Sequence, residues 1–127
     1  MKYIKLIKNN NSGRYEKIFF NDEKLSHLYW VITDSGSSTR WLWKFMTHYN
    51  QEIVTANYGR AFFIGDMAYL GTFQDDDPED CDIVISKKML LKLVTQWLEI
   101  TEKRIPEFYM IQDTTGDINF AEQLPQV

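Results

Sequence analysis

The chain has 127 residues, 44% of them hydrophobic and 15% aromatic, with 14 basic and 18 acidic side chains and a formal net charge of -4. That length favours one domain over residues 1–127, able to bury roughly two thirds of its unfolded-chain surface without a disulfide or a structural metal. The lone cysteine, Cys81, excludes an internal disulfide; no apolar run approaches the roughly 20 residues of a membrane span, and no signal-type apolar segment opens the chain, so a cytoplasmic location is expected.

In chain order, Lys2 to Lys8 (KYIKLIK) alternates loosely and reads as a strand, Asn9 to Gly13 (NNNSG) as a turn, and Tyr15 to Phe20 (YEKIFF) as the second arm of a hairpin. Asn21 or Asp22 can cap a short helix or turn through Leu25 and Leu28, after which Tyr29 to Thr33 (YWVIT) has the β-branched and aromatic content of a strand. Asp34 to Thr39 (DSGSST) is a loop. Arg40 to Tyr49 (RWLWKFMTHY) alternates partly, which predicts a strand with Trp41, Trp43 and Phe45 on one face. Glu52 to Tyr58, Ala61 to Gly65 and Met67 to Phe73 are short, β-rich and punctuated by glycine, as in an antiparallel meander.

Asp82 to Ile85 (DIVI) is a further strand. Ser86 then caps a helix over Lys87 to Lys103, whose Leu90, Leu91, Leu93, Val94, Trp97, Leu98 and Ile100 fill one broad apolar arc. Trp97 should be buried there. Pro106 blocks continuation, and Glu107 to Gln112 (EFYMIQ) reads as a strand returning beside DIVI through a right-handed crossover. Residues 113–127 read as a flexible polar tail. The expected fold is α+β or α/β: a mainly antiparallel sheet with the amphipathic helix packed on one face and a C-terminal βαβ-like unit.

Equipment for catalysis is sparse. His27 and His48 have no partner at metal-ligand spacing, and the run DDDPEDCD lacks the spacing and glycine of an EF-hand loop, so no metal or other cofactor is expected. No nucleophile elbow, phosphate loop or dinucleotide motif is present, and acidic neighbours disfavour a Cys81 thiolate. No catalytic residues are assigned, and the chain is not expected to be an enzyme. The aromatics of RWLWK invite base stacking, but no wider basic patch supports nucleic-acid binding.

The charge is instead concentrated. Asp75, Asp76, Asp77, Glu79, Asp80 and Asp82 come without a basic residue among them; setting those six aside leaves 12 acidic residues against 14 basic. A short acidic run anchored between two apolar strands carries self-repulsion that solubility alone does not require, and it points to a basic protein partner. Trp41 and Trp43 are a second candidate contact. The competing reading is a small enzyme or ligand-binding domain with a pocket lined by Trp30, Trp41, Trp43 and Tyr69.

The stretch from Asp82 to Asp113 resembles the C-terminal half of many small bacterial immunity proteins of contact-dependent growth inhibition and related polymorphic-toxin systems. The resemblance rests on Ile85, Ser86, Lys87, Leu90, Leu91, Val94, Trp97, Lys103, Pro106 and Ile111: a strand ending in I-S-K, a helix with spaced leucines and a tryptophan, a Lys-x-x-Pro turn and a closing strand. It covers about a quarter of the chain and is mostly structural. It implies a small cytoplasmic protein without enzymatic activity that binds and neutralises a toxin's catalytic domain, frequently a nuclease. The acidic run would then stand where substrate phosphates normally sit.

Overall fold

The computed structural model describes residues 1–33, 38–49, 52–55, 59–72 and 74–125. The fold is α+β. β1 (Lys2–Lys8) and β2 (Tyr15–Phe20) are the expected hairpin, turned by Asn9, whose side-chain oxygen accepts from the Asn11 and Ser12 amides, and by Gly13 at φ +74°. α1 (Glu23–Thr33) and α2 (Ser38–Lys44) follow, the latter running into a π-helical turn, Phe45–Tyr49. β3 (Ile53–Thr55), β4 (Gly59–Ile64) and β5 (Met67–Thr72) form the expected meander; a 3-10 turn, Pro78–Asp80, leads to β6 (Ile83–Ser86). α3 (Lys87–Glu102), β7 (Glu107–Gln112) and β8 (Ile118–Ala121) complete the order.

These strands make two antiparallel four-stranded sheets, ordered β2-β1-β7-β8 and β3-β4-β5-β6. α1 packs on β1 of the first sheet and on β4 and β5 of the second; α3 packs on β8 of the first and on β5 and β6 of the second. The helices therefore fill the space between the buried faces of both sheets. One apolar cluster results, drawing Ile4, Leu6, Phe108 and Phe120 from the first sheet, Phe63, Leu70 and Ile83 from the second, and Leu28, Ile32, Leu90 and Val94 from the helices. The broad apolar arc of α3 follows from this: a helix touching two sheets buries more of its circumference than one lying on a single sheet.

α3 forms as expected. The Ser86 hydroxyl accepts from the Met89 amide at 3.0 Å, and Trp97 is 8% exposed. The helix ends in a Schellman arrangement: the Ile105 amide donates to the Ile100 carbonyl and Arg104 takes the left-handed position at φ 55°.

Four expectations are corrected. Tyr29 to Thr33 is not a strand but the second half of α1, capped by Asp22, which accepts from the Leu25 amide at 2.9 Å. Leu25, Leu28, Tyr29 and Ile32 are all buried, and that 3.6-residue period outweighs the β-propensity of Tyr-Trp-Val-Ile. Arg40 to Tyr49 is helical, not extended. Its buried and half-buried set, Thr39, Leu42, Trp43, Phe45 and Met46, also follows helical spacing, so the partial alternation was a subset of a helical pattern. The loop expected over Asp34 to Thr39 lies outside the described residues except for Ser38 and Thr39, which open α2; the Thr39 hydroxyl donates to the Ile32 carbonyl at 2.5 Å.

The last two corrections concern the C-terminal third. The strand–helix–strand order of β6, α3 and β7 is present, but it is not a βαβ unit: β7 pairs antiparallel with β1 and β8, in the other sheet from β6. Nor is the end of the chain a tail through its described residues. Ile118–Ala121 is an edge strand with Ile118 and Phe120 buried, and Asp113 organises the turn before it by accepting from the Thr115 and Asp117 amides. Among the described residues no helix is long and apolar enough to cross a membrane.

Candidate functional site

The acidic run is the connection between β5 and β6, and it is built on the second sheet instead of hanging from it. Strand alternation turns Phe63, Leu70 and Ile83 toward the core, which leaves Arg60, Phe62, Tyr69, Gly71 and Val84 on the opposite, outer face. Arg60 and Gly71 are direct cross-strand partners. The loop sits on that pair. A Cβ at position 71 would lie 2.3 Å from Asp75 Oδ2 and 2.9 Å from Cys81 Sγ, so only glycine leaves room for the loop at this point.

The six carboxylates do different things. Asp75 turns inward: its Oδ2 accepts from the Thr72 amide at 2.7 Å, and its own amide donates to the Thr72 carbonyl at 3.0 Å. The Arg60 guanidinium donates from Nη1 to the Asp75 carbonyl at 3.0 Å and lies 3.7 Å from Asp76 Oδ1. The Arg60 Nε is buried and has no hydrogen-bond partner among the described residues. Asp77 opens the Pro78–Asp80 turn without a side-chain cap bond, and the Cys81 amide closes that turn onto the Pro78 carbonyl. Asp82 Oδ2 lies 4.0 Å from His27 Nδ1 of α1. Asp76, Asp77, Glu79, Asp80 and Asp82 are exposed.

The run thus divides. Asp75 is spent on the loop's own geometry, and Asp76 and Asp82 each have a cationic or imidazole neighbour from another element. Asp77, Glu79 and Asp80 stand in solvent. Arg60 is the residue that sequence reasoning missed. Its signal was a single cation opening an otherwise apolar strand segment, but only cross-strand register places it under the acidic run.

Cys81 lies in the middle of this charge. Burial pushes its thiol above the ordinary value, Asp75, Asp80 and Asp82 add to the effect, and Arg60 opposes it. The direction matches the expectation from the acidic neighbours, although desolvation is the larger cause. Among the described residues no three His, Cys, Asp or Glu side chains are grouped as metal ligands.

Of the aromatic candidates, Tyr69 stands apart from those on the helices. Trp43 packs partly against the core with its ring 5.5 Å from His48, and Trp41 lies in α2, only its backbone being described. Trp30 is on α1 with its ring 5.8 Å from His27, whereas Tyr69 is on the outer face of the second sheet, away from the helices. Tyr69 therefore does not share a face with Trp30 and Trp43. Two surface clefts, of about 310 and 250 Å³, lie elsewhere: one beside Met1 and Thr114, the other between Gln96 and Glu122.

No family model matches the chain, and no curated protein or solved structure matches it either.

Proposed function

We propose that this chain is a binding protein that neutralises the catalytic domain of a cognate protein toxin, in the manner of a small bacterial immunity protein, and that it acts in the cytoplasm. The observation that carries the reading is the acidic loop: Asp77, Glu79 and Asp80 are held in solvent on a connection seated against Gly71 and tied to Arg60. An ordered carboxylate array attracts a basic surface and presents charges at defined positions, which favours association rate and specificity. A nuclease domain is the partner that fits best, because a site that holds phosphates is basic. The C-terminal resemblance to immunity proteins supports the same reading. The competing one, an enzyme or ligand-binding domain with an aromatic pocket, loses Tyr69, which stands on the outer face of the second sheet, away from Trp30 and Trp43 on the helices.

The test is capture from the native host on the tagged protein at low salt, with elution by salt. Each basic polypeptide recovered is then expressed in a test strain with and without this chain. The expected result is growth arrest relieved by co-expression. If no recovered polypeptide is toxic, or if the arrest persists, the reading fails.

A further inference from the structure

The outer face of the second sheet carries an apolar field. Ile53, Phe62, Tyr69 and Val84 are in register across all four strands, and Ile64 and Met67 extend the field toward the β4–β5 turn. Ile53 and Ile64 are each 53% exposed and Val84 49%. Phe62 lies between them on the outer face at 5% exposure, outside the core cluster. An antiparallel sheet that shows one face to water ordinarily alternates apolar-in with polar-out. Here the outward positions of the Ile53–Phe62–Tyr69–Val84 row break that alternation.

At its other end the field meets charge. Two residues along the strands is the Arg60–Gly71 row, onto which the acidic loop folds.

We propose that the outer face of the β3–β6 sheet is the docking surface for a basic protein partner. The partner's apolar anchor seats over Tyr69, among the exposed Ile64, Met67 and Val84, and its Lys and Arg side chains meet Asp77, Glu79 and Asp80. Charge complementarity selects this occupant. A second copy meeting this same face brings only Arg60 among the described cations of these rows, and it is already bonded to the Asp75 carbonyl and close to Asp76. The proposal rests on the binding-protein reading above and adds the face that binds.

The test places a photo-crosslinking amino acid at Val84, on the field, or at Ile18, an exposed residue of β2 in the other sheet, within the full chain in host cells. Val84 is expected to trap a polypeptide of net positive charge and Ile18 not to. Titration of that polypeptide against Val84→Asp and Ile53→Asp, both at exposed positions, should show affinity lowered about 30-fold or more, as expected for central interface positions. Circular dichroism of both variants checks that they fold. Trapping of the basic polypeptide from Ile18 alone, trapping of a second copy from Val84, or unchanged affinity in both Asp variants overturns the docking face. Those outcomes leave the toxin reading standing wherever growth is still rescued. Failure of rescue, with Val84 still trapping a basic polypeptide, sinks the toxin reading and keeps the face.

Discussion

Trp97 touches four aromatic rings at once: Tyr15 and Tyr29 at 5.6 Å, and Phe108 and Phe120 at 5.7 Å between centroids. These rings come from β2, α1, β7 and β8, so a single side chain of α3 joins the helix layer to the first sheet. Trp97→Ala removes most of that contact and leaves a cavity that four elements would have to close together. The expected cost is about 3–5 kcal/mol in urea melts; a change below about 1 kcal/mol would contradict the packing described. Gly71 is the residue with the opposite demand. Gly71→Ala puts a methyl group where Asp75 Oδ2 and Cys81 Sγ now sit. The expected loss is about 1–3 kcal/mol, as for an overpacked site. The displaced loop should also expose the Cys81 thiol and speed its alkylation by a maleimide. Unchanged stability together with unchanged alkylation would mean that the loop is not seated on Gly71.

At the scale of elements, the β7–β8 hairpin is an electrostatic construction. Asp113 accepts from the Thr115 hydroxyl at 2.6 Å and from two amides, and Asp117 accepts from Lys92 of α3 and from Asn119, each at 2.9 Å. The Thr115 hydroxyl, chiefly, holds the Asp113 carboxyl below its ordinary value of 3.8, and the Lys92 ammonium does the same for Asp117. A carboxyl held low binds fewer protons folded than unfolded. Its contribution is therefore complete above the unfolded value and is lost as pH falls through the folded one. Stability should decline below about pH 4 partly for this reason. The double substitution Asp113→Asn and Asp117→Asn should flatten that decline in urea midpoints measured from pH 5 to pH 2. A variant that loses stability in parallel with the parent would show that these carboxyls do not drive the acid limb. β2 and β8 are the outer strands of the same sheet, and β2 carries an extra residue, Ile18, opposite the Lys5–Leu6 step of β1, a bulge of the kind by which an exposed edge resists pairing with another chain.

At the scale of the whole molecule, five of the six carboxylates of the acidic run reach solvent, and among the described residues Asp77, Glu79 and Asp80 are the three without an ion pair to Arg60 or His27. Neutralising Asp75 as well would weaken the charged acceptor of the Thr72 amide that holds the loop, so a clean test of attraction leaves Asp75 and Asp76 in place. The variant Asp77→Asn, Glu79→Gln and Asp80→Asn should fold with stability unchanged or slightly raised, through relief of like-charge repulsion. Surface plasmon resonance against the captured basic partner should show slower association at low salt, with the difference shrinking as ionic strength rises. Equal association rates at both salt concentrations would make the loop a solvated surface only. The apolar field beside it would then carry recognition without electrostatic steering.

What could be read from the sequence alone was whatever depends on neighbours a few residues away. Ser86, the apolar arc from Leu90 to Ile100 and Pro106 delimit α3 through capping, a 3.6-residue period and a blocked amide, all of them local. The glycine-punctuated meander and the β1–β2 hairpin were legible for the same reason, and so was the position of the acidic run. Tertiary structure decided the rest, because those choices rest on partners far along the chain. Tyr29 to Thr33 and Arg40 to Tyr49 hold residues compatible with either period, and burial of Tyr29, Ile32 and Leu42 against the core selected the helix. β7 joined β1, more than a hundred residues back at Lys2↔Gln112, instead of β6, since strand pairing is a contest between non-local edges that no local pattern encodes. The acidic loop was visible as composition, but its seat was not: Arg60 and Gly71 come under it only through the β4–β5 register, and that register alone separates the inward Asp75 from the carboxylates left in solvent.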